Sequence, residues 1–380
     1  MARLLLLTIV LIAYGSLYPW HFHAYQHAYG PLWVLSHPTP VYWNRFAAVD
    51  IAVNALVYLP LGFFAFAALA AMWRTWVAAI VALLIGITLS FSVEMAQFFV
   101  VSRVSSALDV AANGLGAAAG IAAASVWWRH HHTSETPVRS DSMFLIACWV
   151  LYQVFPFIPH RGRPSLIDGP AVDALLYFAT VIALWPVIDA LGGSIRKKRL
   201  TLAVLVMIVP LKVVLFARDI TIAELVSTVA AFATALLLPL SARVAAGIVG
   251  VAIAVHGLAP FVFQGPAQAF SWVPFQASIV SNWEPGVGVL LGKVFTYGSL
   301  LWLIREAGVR LPTATMSTVA LLATVEVAQM YLPGRTSEIT DPVIALILAW
   351  VFWSLAPNRS LTVAAQKRLA SLGRLTEPRQ

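Results

Sequence analysis

Between positions 94 and 120 the chain reads EMAQFFVVSRVSSALDVAANGLGAAAG, and groups able to do chemistry stand there at fixed intervals: Glu94, Gln97, Arg103, Asp109 and Asn113. On helices, Glu94 and Gln97 share a face by three-residue spacing. Asp109, Asn113, Gly116 and Gly120 share another by spacings of three and four. Arg103 lies in the connection between the two helices. Asp50 and Asn54, four residues apart on an earlier apolar segment, complete the candidate ligand-binding set. A guanidinium can clamp a phosphate or carboxylate through two parallel N–H bonds, with neighbouring acids orienting the fork. Ionised side chains near the bilayer interior cost roughly 2.5–3.5 kcal/mol each on insertion scales, so acid, amide and base are expected to face one another inside a bundle.

The pattern returns. Glu326, Gln329, Arg335 and Asp341 reproduce E-x2-Q-x5-R-x5-D, with Ala345 and Leu348 where the first copy has Asn113 and Gly116. A weaker copy sets Lys212, Arg218 and Glu224 at the spacing of Gln97, Arg103 and Asp109, with Val209 for Glu94 and Thr228 for Asn113. Lys293 and Tyr297 repeat Asn54 and Tyr58, as Asp173 and Tyr177 do in the middle. Gly257, Leu258, Pro260 and Phe261 echo Ser16, Leu17, Pro19 and Trp20. Only the first copy keeps all seven candidate residues, so it is expected to be the working site. Lys212, Arg218, Lys293 and Arg335 are expected to offset its acids around one shared pocket for an anion. The competing expectation is that Arg103 pairs with Asp109 and Asp50 merely to hold helices together.

The elements that position these residues follow from composition. A chain with 60% hydrophobic and 11% charged residues and a mean hydropathy of +0.84 is an integral membrane protein. Its apolar segments predict an all-α, polytopic transmembrane bundle of about 12 spans. The copies divide it into two or three four-helix repeats: residues 1–130, a degenerate 143–241, a second unit 244–356, and a polar cytoplasmic tail 357–380. The apolar run at the N-terminus continues through Leu17 to Trp20, so we read an uncleaved first helix rather than a signal peptide. The net charge of +8 is scattered over the connections and excludes a nucleic-acid stripe. By the positive-inside rule it places both termini in the cytoplasm and the motifs outside. The lone Cys148 has no disulfide partner. No phosphate-cradling loop, H-E-x-x-H, G-x-S-x-G or C-x-x-C occurs, so neither a cofactor nor a metal is expected.

SLYP at 16–19, D-x3-N-x5-P-x-G from Asp50 to Gly62 and E-x2-Q-x5-R-x5-D-x3-N-x2-G from Glu94 to Gly116 resemble the VanZ-like family of bacterial membrane proteins. The likeness covers residues 1–130 and, weakened, 256–356. That family is named for an accessory protein of glycopeptide resistance that lowers sensitivity to teicoplanin, and most relatives are single four-helix units. The resemblance implies a multi-pass protein of the bacterial cytoplasmic (inner) membrane with lipids as neighbours. The cluster of Arg, acids and amides is read first as the site of a non-enzymatic cell-envelope protein, binding an anionic or lipid-linked headgroup, a cell-wall precursor or a glycopeptide, at the outer face, and the resemblance adds a role in glycopeptide resistance. Two other readings stay open. One is a membrane enzyme acting on a lipid-linked phosphate or glycan, with Glu94 or Asp109 as general acid or base and Arg103 stabilising phosphate charge. The other is a lipid or solute transporter or flippase built from parallel repeats.

Overall fold

The computed structural model describes residues 1–23, 30–36, 45–100, 103–133, 139–155, 166–167, 170–216, 220–238, 240–277 and 283–356. Arg218 and the tail from 357 onwards lie outside these. The first segment holds α1 (Ala2–Ser16), α2 (Pro31–Ser36), α3 (Arg45–Leu69), α4 (Thr75–Gln97) and α5 (Ala107–Thr133). The middle segment holds α6 (Ser140–Val154), α7 (Ala171–Asp189), α8 (Ile195–Val206), α9 (Ile208–Phe216) and α10 (Ile222–Leu237). The last holds α11 (Ala242–Leu258), α12 (Trp283–Glu306), α13 (Leu311–Gln329) and α14 (Thr340–Leu355). The other regular structure among the described residues is a parallel pair of two-residue strands, β1 (Leu166–Ile167) and β2 (Ile220–Thr221).

The expectation of about 12 spans is corrected: among the described residues, 6 helices are long and apolar enough to cross a membrane. These stretches are Ala47–Leu69, Thr75–Gln97, Ala107–Arg129, Ala171–Asp189, Gly286–Glu306 and Leu311–Gln329. The reason is length. At about 1.5 Å per residue, α1, α6, α10, α11 and α14 fall short of a hydrocarbon core about 30 Å thick. The apolar stretch 201–216 is divided between α8 and α9 at Met207, three residues before Pro210. Hydropathy registers how apolar a stretch is and not where its helix stops.

In the first segment α3 and α5 meet backbone to backbone. A Cβ on Gly62 would lie 2.0 Å from the Ala117 carbonyl oxygen, one on Gly116 2.0 Å from that of Ala55, and one on Gly120 2.0 Å from that of Leu59. Small residues four apart make this approach possible in lipid, where van der Waals contact and not water exclusion drives association. Tyr58, Leu61 and Val93 join Ile12 in a buried cluster, and a second cluster of Ala65, Phe66, Ala78 and Ala82 fills the far half. The middle and last segments share one apolar core that includes Trp149, Ile182, Phe295, Trp302 and Phe352. Tyr14 joins the first segment to the last by donating to the Pro274 carbonyl at 3.0 Å, and the Arg3 guanidinium lies 3.9 Å from the Trp353 ring centre.

The helices run so that the bundle has two chemically distinct ends. One end carries the predicted motifs. At the other, Arg139 forks onto Asp141 (2.9 Å) and Glu306 (2.6 Å), and Lys198 pairs with Asp189 at 2.6 Å. Bonds to Asp141 and then Glu306 hold the Arg139 guanidinium well above its ordinary pKa.

Candidate functional site

The motif end of the first segment is assembled from the C-terminus of α1, the start of α3, the end of α4 and the start of α5. Gln97 donates from Nε2 to the Ser16 carbonyl at 2.8 Å. Arg103 donates from Nε to the Tyr18 carbonyl (3.3 Å) and from a terminal nitrogen to that of Gly15 (3.2 Å). Helix ends expose carbonyls with no intrahelical partner, and here a guanidinium satisfies one and fixes the turn that follows. Glu94, 3% exposed, accepts the Ser106 N–H at 2.8 Å, while its own carbonyl takes the Ser105 hydroxyl at 2.7 Å. The carboxylate thus pins the α4–α5 connection. Arg103 lies within electrostatic reach of Asp50 and Glu94 but closes no ion pair with either, nor with Asp109. Burial lowers its pKa, and Asp50, then Glu94, act to raise it.

The same set of bonds recurs in the last segment. Gln329 donates to the Gly257 carbonyl at 2.9 Å; Arg335 donates to Ala259 (3.0 Å) and His256 (2.7 Å); Glu326 accepts the Glu338 N–H at 2.9 Å. Both turns after the short helix contain a cis proline, Pro19 and Pro260, followed by a residue with positive φ, Trp20 at 59° and Phe261 at 64°. Arg103 does not pair with Asp109 or Asp50, nor Arg335 with Asp341.

What differs between the segments is the acid in the first turn of the closing helix. Asp341 is held by Lys293 Nζ at 2.5 Å and by the Tyr297 hydroxyl. Glu224 is held by Lys212, which also donates to Gln153 at 3.2 Å. Among the described residues, Asp50 and Asp109 have neither an ion pair nor a hydrogen bond from a side chain. Glu94, Asp109 and Asp50 lie within electrostatic reach of one another, and Asp50 is exposed. One turn below Asp109, Asn113 donates to Ser90 at 2.9 Å, leaving its Oδ1 buried without a partner. Tyr58, the counterpart of Tyr297, is buried beside Ser90 and near Glu94.

The structure therefore gathers Asp50, Glu94, Asp109 and Asn113 at one locus, with Asn54 one turn from Asp50 on α3. It commits Gln97 and Arg103 to backbone carbonyls. Lys212, Lys293 and Arg335 are each engaged within their own segment. Ser90 and Tyr58 belong to the locus and were not among the candidates. Their positions, one turn from Glu94 and from Asn54, were the available signal. No group of three or more His, Cys, Asp or Glu among the described residues is placed to hold a metal.

Residues 2–128 match a family model described as VanZ/LLP1. No curated protein and no solved structure matches the chain.

Proposed function

We propose that this is a bacterial cell-envelope membrane protein whose first segment binds the polar headgroup of a lipid or lipid-linked envelope component at the outer face. One observation carries the reading: among the described residues Asp50 and Asp109 have no ion-pair or side-chain hydrogen-bond partner, whereas the acids corresponding to Asp109 in the other segments, Glu224 and Asp341, are neutralised internally. Uncompensated carboxylates at that depth are costly unless something else meets them. The orientation follows from charge. Among the described residues, Arg74, Arg129, Arg196, Lys197, Lys198, Arg199 and Arg310 lie at the end opposite the motifs, which the positive-inside rule assigns to the cytoplasm.

The matching carbonyl clamps support a related reading, in which the first and last segments descend from one duplicated unit, with residues 143–241 a divergent third. The last two then serve mainly as scaffold.

Native mass spectrometry of the purified full chain tests the proposal. Asp109→Asn and Asn113→Leu are expected to lose a co-purifying lipid that Asp341→Asn retains. Equal retention by all three at equal protein abundance would remove the headgroup reading.

A further inference from the structure

We propose that the first segment's carboxylates bind a positively charged amine of a membrane amphiphile, in the place that a lysine ammonium takes in the other two segments. The inference rests on the headgroup reading above and names the charge of what is bound.

The argument is an internal comparison. In the last segment the ammonium of Lys293, on α12, reaches Asp341 in the first turn of α14. In the middle segment the ammonium comes from a different position, Lys212 on α9, yet meets the equivalent acid, Glu224 in the first turn of α10. Two unrelated tethers deliver the same chemical group to the same carboxylate. What is common to both is therefore the ammonium and not the side chain that brings it.

In the first segment both lysine positions are neutral amides, Asn54 and Gln97, and Gln97 is spent on the Ser16 carbonyl. Asp109 keeps its place in the first turn of α5 with no tethered cation among the described residues. Around it the chain presents acceptors in surplus: Asp50, the remaining oxygen of Glu94, and the buried, unpartnered Oδ1 of Asn113. A surplus of acceptors calls for a donor with several N–H groups, which a primary ammonium is. Arg103 already donates to the Tyr18 and Gly15 carbonyls, and the carboxylates of Asp50, Glu94 and Asp109 would repel a phosphate. Asp50 is exposed, so the locus opens towards the membrane surface, where an amine-bearing headgroup lies. The absence of a metal-holding group among the described residues favours an organic cation over a metal ion.

The test uses the full chain in phosphatidylcholine nanodiscs with radiolabelled dodecylamine, and with dodecyl phosphate and dodecyl maltoside as competitors. Saturable amine binding is expected, weakened about tenfold or more by Asp109→Asn and likewise by Asn54→Lys, which installs the lysine of the last segment. Dodecyl phosphate should not compete. If dodecyl phosphate binds instead, and Asn54→Lys strengthens it, the amine assignment falls while the headgroup reading stands. If neither amphiphile binds and Asp109→Asn leaves the native lipid in place, both fall. Lys293→Asn supplies a check that does not depend on the first segment folding around a new charge. It is expected to lower the melting temperature, and ethylammonium, but not sodium, is expected to restore it. Absence of that rescue would overturn the claim that the acid position selects an ammonium.

Discussion

Gly116 rests on the backbone of Ala55, so close that the smallest side chain would place a carbon 2.0 Å from that residue's carbonyl oxygen. The contact lies one turn below Asn113 and two below Asp109 on the same helix, and it sets how near α5 brings Asp109 to Asp50 on α3. In the last segment the corresponding residue is Leu348, which is buried in the shared core. The two crossings are therefore built differently beneath similar carbonyl clamps.

Gly116→Leu should destabilise the protein by about 1–3 kcal/mol or more, because a backbone atom cannot yield as a flexible side chain does. Thermal unfolding in detergent measures this. Gly114→Ala is the control: its nearest neighbour, Ile87 Cγ1, would be 3.6 Å away, and the helix should gain up to about 1 kcal/mol.

Arg103→Lys and Arg335→Lys should cost similar stability, roughly 1.5–3 kcal/mol each, since hydrogen bonds from a charged donor are lost and an ammonium cannot span two carbonyls as a planar fork does. Chemical or thermal denaturation of the two variants side by side checks it. A large loss for one alone would mean that the two clamps are not doing the same job.

The Lys212–Glu224 pair is buried on both sides, with side chains 4% and 8% exposed. Lys212→Met should therefore cost about 3–5 kcal/mol by stranding the carboxylate, and the double change with Glu224→Leu should recover much of it. Melting temperatures of the single and double variants decide the matter.

Orientation is tested by cysteine labelling after Cys148→Ala. A cysteine at Thr336, exposed at the motif end, should react with an impermeant thiol reagent in intact cells, and one at Ser194 should not. The reverse pattern would turn the bundle over.

The sequence carried the helical class, the membrane setting and the spacing that relates Arg103 to Arg335, because periodicity and composition report directly on which side chains share a face. It also set Gly116 and Gly120 on one helix face. It could not show what the arginines hold, since their partners are the carbonyls of Gly15, Tyr18, His256 and Ala259, and a carbonyl leaves no mark in a residue string. The same limit made Lys212 and Lys293 look like a surplus available to a shared pocket. In the folded protein each is consumed by an acid of its own segment.

The short helices have a consequence for the lipid itself. The last segment sets α14, of 16 residues, and α11, of 17, beside α12 and α13, of 24 and 19. At about 1.5 Å per residue the shorter pair spans roughly 24–26 Å, several ångströms less than an ordinary hydrocarbon core. A bilayer meeting either short helix would thin, tilt its acyl chains or admit headgroups to greater depth, each at a fraction of a kcal/mol per ångström of mismatch. The protein then presents lipids with two different thicknesses around one perimeter, and a lipid travelling that perimeter crosses a step in membrane height.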